Sequence, residues 1–124
     1  MKITAFNPLI LTKDAAAAKE LFEALGFEHA HTKTGINGKE ITAFDLKHPD
    51  GFRVDVTQVD QMPQDMTVIR MNVRDFDEAY QFLLEHGFKN AQGDKVTDTG
   101  SSKATLMVSP SGFAISLAEH IRKD

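Results

Sequence analysis

The chain has 124 residues, 41% of them hydrophobic and 26% charged, with a formal net charge of −4, which is the balance of a soluble globular body large enough for a core of its own. The negative charge and the lack of a basic stripe argue against nucleic acid as a partner, and the absence of cysteine excludes disulfides, thiolate metal sites and a Cys nucleophile. No apolar run approaches the roughly 18 residues of a membrane span, and Met1-Lys2-Ile3-Thr4 does not read as a signal peptide, so no membrane partner is expected and a cytoplasmic location is.

Residues 3–12 are rich in β-branched and aliphatic types and predict a strand, with Pro8 at an edge or a bulge because it lacks a backbone donor. Asp14 is a candidate N-cap. Ala18, Leu21, Phe22 and Leu25 follow at i, i+3, i+4 and i+7, one face of a helix that Gly26 ends. Residues 27–33 predict a second strand, 35–38 a turn and 40–46 a third strand. His48-Pro49-Asp50-Gly51 turns the chain into a fourth strand over 52–58. One unit is therefore βαβββ.

The pattern then recurs. Gly26-Phe27 returns as Gly87-Phe88, Lys13-Asp14 as Arg74-Asp75, and His48-Pro49-Asp50-Gly51-Phe52 as Ser109-Pro110-Ser111-Gly112-Phe113, each 61 residues later with no gap. An internal repeat of this kind sets the architecture before any single residue is read. The second unit is a strand over 67–73, then a helix opened by a capping box of Asp75 and Glu78 with Phe76, Ala79, Tyr80 and Leu83 inward. Three strands over 88–92, 103–108 and 113–118 complete it. Residues 59–66, with Pro63, read as a linker, 93–102 as a polar loop, and 119–124 as a charged end that frays or adds a short helical turn. The expected domain is thus 1–124, built of units at about 1–58 and 67–118.

A tandem βαβββ pair with Asp-capped helices, the first ending in Leu-Gly-Phe, resembles the vicinal oxygen chelate superfamily, the glyoxalase, bleomycin-resistance and extradiol dioxygenase group. The motifs are Asn7-Pro8-Leu9-Ile10-Leu11-Thr12-Lys13-Asp14, Phe22 with Leu25-Gly26-Phe27, and Pro110-Ser111-Gly112-Phe113. The resemblance covers nearly the whole chain. It implies an α+β fold in which the two units form a curled mixed sheet around a cleft, with the helices outside, and it implies a homodimer.

In metal-using members the resemblance implies four ligands, on the first and last strand of each unit. Those positions fall here on Asn7, Asp55, Val68 and Ser116. Val68 has no donor atom, a neutral Ser116 is a poor ligand and Asn7 offers an amide oxygen, whereas first-row divalent metals need about three good N or O donors. No metal ion and no other cofactor is therefore expected. The alternative is an atypical site in which His29 and His31, i and i+2 on one strand, join Asp55. His48 is expected to be solvated in its turn, His86 to complement the end of the second helix, and His120 to belong to the tail.

If the four positions face the cleft, strand alternation brings Leu9, Leu11, Arg53, Thr57, Arg70, Asn72 and Ala114 with them. Ile10, Phe52, Val54, Val56, Ile69, Met71, Val73, Phe113, Ile115 and Leu117 then face the helices. Phe44 and Met107 are expected to line the cleft from the third strands. The candidate binding residues are Asn7, Leu9, Phe44, Arg53, Asp55, Val68, Arg70, Asn72, Met107 and Ser116, with Arg53 and Arg70 placed to orient a small polar or anionic molecule. A metal-free binder of such a ligand is the expected function. A glyoxalase-type lyase, isomerase or dioxygenase is the alternative, and a regulatory or oligomerisation module without a ligand is a third reading.

Overall fold

The structure, a computed structural model, describes residues 1–33, 43–98 and 102–120. These form nine strands and two helices, in the order β1 (Ile3–Thr12), α1 (Ala15–Ala24), β2 (Glu28–Lys33), β3 (Ala43–Lys47), β4 (Arg53–Gln58), β5 (Met66–Val73), α2 (Phe76–Glu85), β6 (Lys89–Asn90), β7 (Thr97–Asp98), β8 (Ser102–Val108) and β9 (Ala114–His120). The chain divides into two compact units, Asn7–Thr67 and Val68–Asp124, the latter including Met1–Phe6. They are called here the N-unit and the C-unit.

In the N-unit the strands pair in the order β2-β3-β4-β1. β3 is antiparallel to β2 and β4, and β1 runs parallel to β4 from Leu9, opposite Asp55, to Thr12, opposite Gln58. Pro8, which cannot donate, lies just before this paired stretch. The order in the C-unit is β5-β9-β8-β6, with β7 also on β8. β5 is parallel to β9, and the other pairs are antiparallel. Both units are thus mixed sheets with one helix each, as the repeat predicts.

The local signals behave as expected at the helix ends. Asp14 Oδ1 accepts from the Ala17 N–H and Asp75 Oδ1 from the Glu78 N–H, each at 3.1 Å. Gly26 and Gly87, at φ +103° and +88°, carry the chain out of each helix, and the Phe27 and Phe88 amides close on Phe22 O and Leu83 O at 3.0 Å. His86 bonds the last turn through Nδ1 to Phe82 O at 2.8 Å, as a residue placed to complement a helix end should.

A further pair of caps was not foreseen. The Ala15 N–H donates to Gln58 Oε1 at 2.8 Å and the Phe76 N–H to Glu119 Oε1 at 2.7 Å. Gln58 and Glu119 are themselves related by the 61-residue shift. In each unit the end of the last strand therefore satisfies an amide that the first turn of the helix leaves without a partner.

Packing corrects several expectations. Under α1 the core consists of Ala15, Leu46, Val54 and Val56, flanked by Ile10, Ala18, Phe22, Phe27 and Phe44. Leu21 and Leu25 are exposed. The inward stripe of α1 is Ala15, Ala18 and Phe22. Under α2 the core is larger: Met71, Val73, Phe76, Ala79, Leu83, Met107, Ile115 and Leu117, with Ile69, Tyr80, Phe88 and Val96 against it.

Phe52 and Phe113, expected in these cores, remain 63% and 54% exposed. They precede the strands proper, at the exit of the two hairpin turns, where the ring of Phe52 meets that of His48 and the ring of Phe113 that of Phe88. The polar segment 93–102 is not wholly a loop, since Thr97 and Asp98 pair with Ala104 and Lys103, and β6 is shorter than its predicted span. At the C-terminal end Glu119 and His120 continue β9 as strand. The predicted turn at 35–38 and the start of the strand at 40–46 lie outside the described residues.

Candidate functional site

Which residues share a face follows from the two hairpins. In the N-unit the His48 N–H donates to Phe52 O and the Gly51 N–H to His48 O, both at 2.8 Å, with Gly51 at φ +99°. That four-residue turn sets Lys47 opposite Arg53, Leu46 opposite Val54, Asp45 opposite Asp55, Phe44 opposite Val56 and Ala43 opposite Thr57. Residues directly opposite one another share a face. Leu46, Val54 and Val56 face α1, so Lys47, Arg53, Asp45, Asp55, Ala43 and Thr57 occupy the other face, with Leu9 in register beside Asp55 and Leu11 beside Thr57.

The corresponding turn in the C-unit runs from Ser109 to Gly112, with the Ser109 N–H on Phe113 O at 2.8 Å. It sets Met107 opposite Ile115 and Leu106 opposite Ser116. Arg70 is in register with Ser116 and Asn72 with Ala118. The helix-free face of this unit therefore carries Arg70, Asn72, Ser116, Leu106, Val108, Ala114 and the buried Val68.

Two of the expected cleft residues are thereby displaced. Phe44 packs under α1 and Met107, fully buried, under α2. The residues that take their places on the helix-free faces are Asp45 and Ala43 in one unit, Leu106 and Val108 in the other. The hairpin turns held the signal: a turn of fixed length fixes which residue of the preceding strand shares a face with Asp55 or Ser116.

On the N-unit face Asn7 and Asp55, 6% and 5% exposed, form a hydrogen-bonded pair between β1 and β4. Asn7 Nδ2 donates to Asp55 Oδ2 and to its neighbour Pro8 O, both at 2.9 Å. These two bonds fix which end of the amide is nitrogen, because a flipped amide would set its oxygen against a carboxylate. They leave Asn7 Oδ1 as a buried acceptor without a donor. Asn72 Oδ1, on the C-unit face, is also buried and without a donor. A buried polar atom left unpaired costs about 1–3 kcal/mol, so each is a place where an incoming donor gains more than it would at a solvated oxygen. Arg53 is exposed and Arg70 half-buried.

These residues do not make a metal site of the kind the resemblance implies in metal-using members. Asn7 turns its nitrogen towards Asp55, Val68 is apolar, and among the described residues no three His, Cys, Asp or Glu side chains come together. The proposed histidine alternative is weakened by an irregularity in β2. His29 is in register with Leu46 but His31 with Asp45, so the alternation that would put both on one face is broken between them. His29 is exposed and sets its ring edge-on to Phe44 at 5.6 Å. His48 is not merely solvated: its ring lies between Phe27 and Phe52, and its Nδ1 accepts from the Asp50 N–H at 3.1 Å.

No protein family's sequence profile matches the chain, and no curated protein matches it. Solved structures do. Methylmalonyl-CoA epimerase from Mycobacterium tuberculosis superposes with a TM-score of 0.72 at 16% identity, over 97% of this chain and 90% of the epimerase. Glyoxalase I from Zea mays gives 0.69 at 14% identity, over 99% of this chain and 44% of that enzyme. A glyoxalase/bleomycin resistance protein/dioxygenase superfamily member from Vibrio splendidus 12B01 gives 0.61 at 17% identity, over 93% of this chain and 97% of that one.

The chain therefore has the α+β fold of the vicinal oxygen chelate superfamily, as its repeated motifs imply. At such identities the likeness carries the fold and not an activity. No helix among the described residues is long and apolar enough to cross a membrane.

Proposed function

We propose that the protein binds a small polar molecule on the helix-free face of its sheet without the help of a metal ion. The observation that carries this reading is the buried Asn7–Asp55 pair with its unpartnered amide oxygen. Two polar side chains are taken out of water, and one acceptor is left for something else to satisfy. A purely structural polar pair would be satisfied within the fold, as Asn90 is by Thr105, Lys95 and Gln92 in the C-unit. Asn72, with its own unpartnered oxygen, extends the reading to the C-unit face.

The ligand class is polar rather than aromatic. Phe22, Phe27, Phe44, Phe76 and Phe88 pack with the cores under the helices, Phe52 and Phe113 sit at the hairpin turns, Phe82 stacks on His86 and Phe6 is exposed on β1, while the residues in register on the helix-free faces include no phenylalanine. Native mass spectrometry of protein purified under gentle conditions tests the reading. A metabolite-sized adduct is expected on the wild-type chain and is expected to be lost with Asn7→Leu, which removes both the amide oxygen and the bond to Asp55. The binding function fails if no adduct forms or if Asn7→Leu retains it. A stoichiometric bound metal together with turnover would favour the glyoxalase-type alternative.

A further inference from the structure

The two hairpin turns hold their amides by different chemistry. In the C-unit Ser109 Oγ accepts from the Gly112 and Phe113 N–H groups, both at 3.0 Å. His48 stands 61 residues earlier, and its Nδ1 accepts from the Asp50 N–H at 3.1 Å. A serine oxygen keeps its lone pairs whatever the pH, whereas an imidazole nitrogen accepts only while it carries no proton. The bond therefore belongs to neutral His48 with its hydrogen on Nε2.

The ring is held on several sides. It lies between Phe27 and Phe52, with centroids 5.2 and 5.6 Å away. Its Nε2 stands at the exit of α1, 3.1 Å from where a Cβ on Gly26 would be. One side chain thus joins the end of the helix, the start of β2 and the turn between β3 and β4. Among the described residues Asp50 is the charged group within ion-pair reach of the ring, with Oδ2 3.5 Å from Nδ1. Glu23, in the last turn of α1, is paired with Lys19. Glu28, Lys47 and Arg53 lie in register with one another on the helix-free face. Asp50 therefore presents two groups to one nitrogen: an N–H that Nδ1 can meet only as an acceptor, and a carboxylate that it can meet only as a donor.

We propose that His48 is a proton-operated clasp of the N-unit. Neutral, it holds the Asp50 amide and closes the turn against the end of α1. A proton taken from solvent onto Nδ1 ends that bond, and the new Nδ1–H donates to the Asp50 carboxylate, which is 76% exposed and able to follow the ring. The Asp50 amide is released to water. The C-unit turn, closed by Ser109, has no such response, so the duplication carries one switched and one fixed copy of the same joint. This device goes beyond the proposed binding function and does not depend on it.

Nuclear magnetic resonance of the full chain, labelled with nitrogen-15, tests the clasp between pH 8 and pH 5, the span in which imidazoles commonly take up their proton. The Asp50 amide signal is expected to move in one step that tracks the His48 ring protons. Its solvent exchange, relative to an unstructured amide at the same pH, is expected to quicken about fivefold, the factor of one lost hydrogen bond. The Gly112 and Phe113 amides are expected to stay as they are. His48→Asn keeps an acceptor near the place of Nδ1 but cannot titrate, and His48→Ser copies the other turn. Either variant that folds is expected to abolish the step. A His48 ring that titrates while the Asp50 amide stays fixed overturns the proposal. So does a step that survives both variants, or one that the Gly112 and Phe113 amides share.

Discussion

The two units share their joints and differ in what lies between them. Asp14 and Asp75 cap the helices, Gln58 and Glu119 close the first turns, and Gly26 and Gly87 end the helices. His48 and Ser109 open hairpins with the same backbone bonds. Between helix and sheet the chemistry parts. In the C-unit Tyr80, Asn90 and Thr105 are joined by hydrogen bonds, Thr105 Oγ1 donating to Asn90 Oδ1 at 2.8 Å. The residues 61 positions earlier are Lys19, His29 and Phe44. There the contacts are a cation over a ring at 5.5 Å and two rings edge to face.

The helix-free faces part as well: Glu28, Lys47, Arg53, Asp45 and Asp55 in the N-unit, against Leu106, Val108, Ala114, Arg70 and Asn72 in the C-unit. The duplicated positions that survive are those whose job is set by backbone geometry. An unpaired helix amide or a left-handed φ admits few residue types, whereas a contact between side chains can be replaced by another of similar volume.

The largest difference between the units is expected in their cores. Leu117 in the C-unit and Leu46 in the N-unit are both essentially buried, so truncation to Ala is expected to cost about 2–5 kcal/mol in each. The cost should be larger for Leu117, which stands in the larger cluster. Equal losses in urea denaturation would show that the two cores are mechanically alike.

The glycines sharpen it at the next level. A Cβ at Gly87 would come within 2.8 Å of Pro110 Cγ, while one at Gly26 would meet His48 Nε2 at 3.1 Å. Gly26→Ala is expected to cost about 1–2 kcal/mol for its left-handed φ. Gly87→Ala should cost more, because a proline ring yields less than the end of a histidine. Thermal unfolding of both variants checks the order, and a smaller loss at Gly87 would contradict it.

The smallest expected effect is at the strand-to-helix caps. Glu119→Gln removes a negative charge from the α2 N-terminus and should cost about 0.3–1 kcal/mol, less at high salt. The reverse exchange, Gln58→Glu, is not its mirror. Gln58 Nε2 donates to Lys13 O at 2.5 Å, and a carboxylate there would face a carbonyl. A stabilising Gln58→Glu would show that the dipole outweighs this lost bond.

How much of the site was legible depended on the kind of signal. Asn7 and Leu9 share a face because alternation along one strand is independent of the rest of the molecule, whereas Asp55, on β4, joins them through the family resemblance. Phe44 and Met107 face the helices because the face of each is set across a hairpin by the strand it pairs with, which alternation along a single strand does not fix. Leu21 and Leu25 fit a helical period yet point outward, since periodicity names a stripe and not the partner it packs against. The shift between His29 and His31 leaves no mark in the sequence, as a β-irregularity needs no special residue.

The sequence by itself determined the duplication, the helix ends, the turns and the fold. These rest on local rules of capping, backbone dihedrals and alternation, each satisfied within a few residues. Only the tertiary structure decided that Gln58 and Glu119 close the helices, that Asp45 faces Asp55 and Lys47 faces Arg53, and that Asn7 keeps an oxygen without a donor. Whether a polar atom is satisfied depends on every group that the fold brings to it, and strands distant in sequence supply most of those groups.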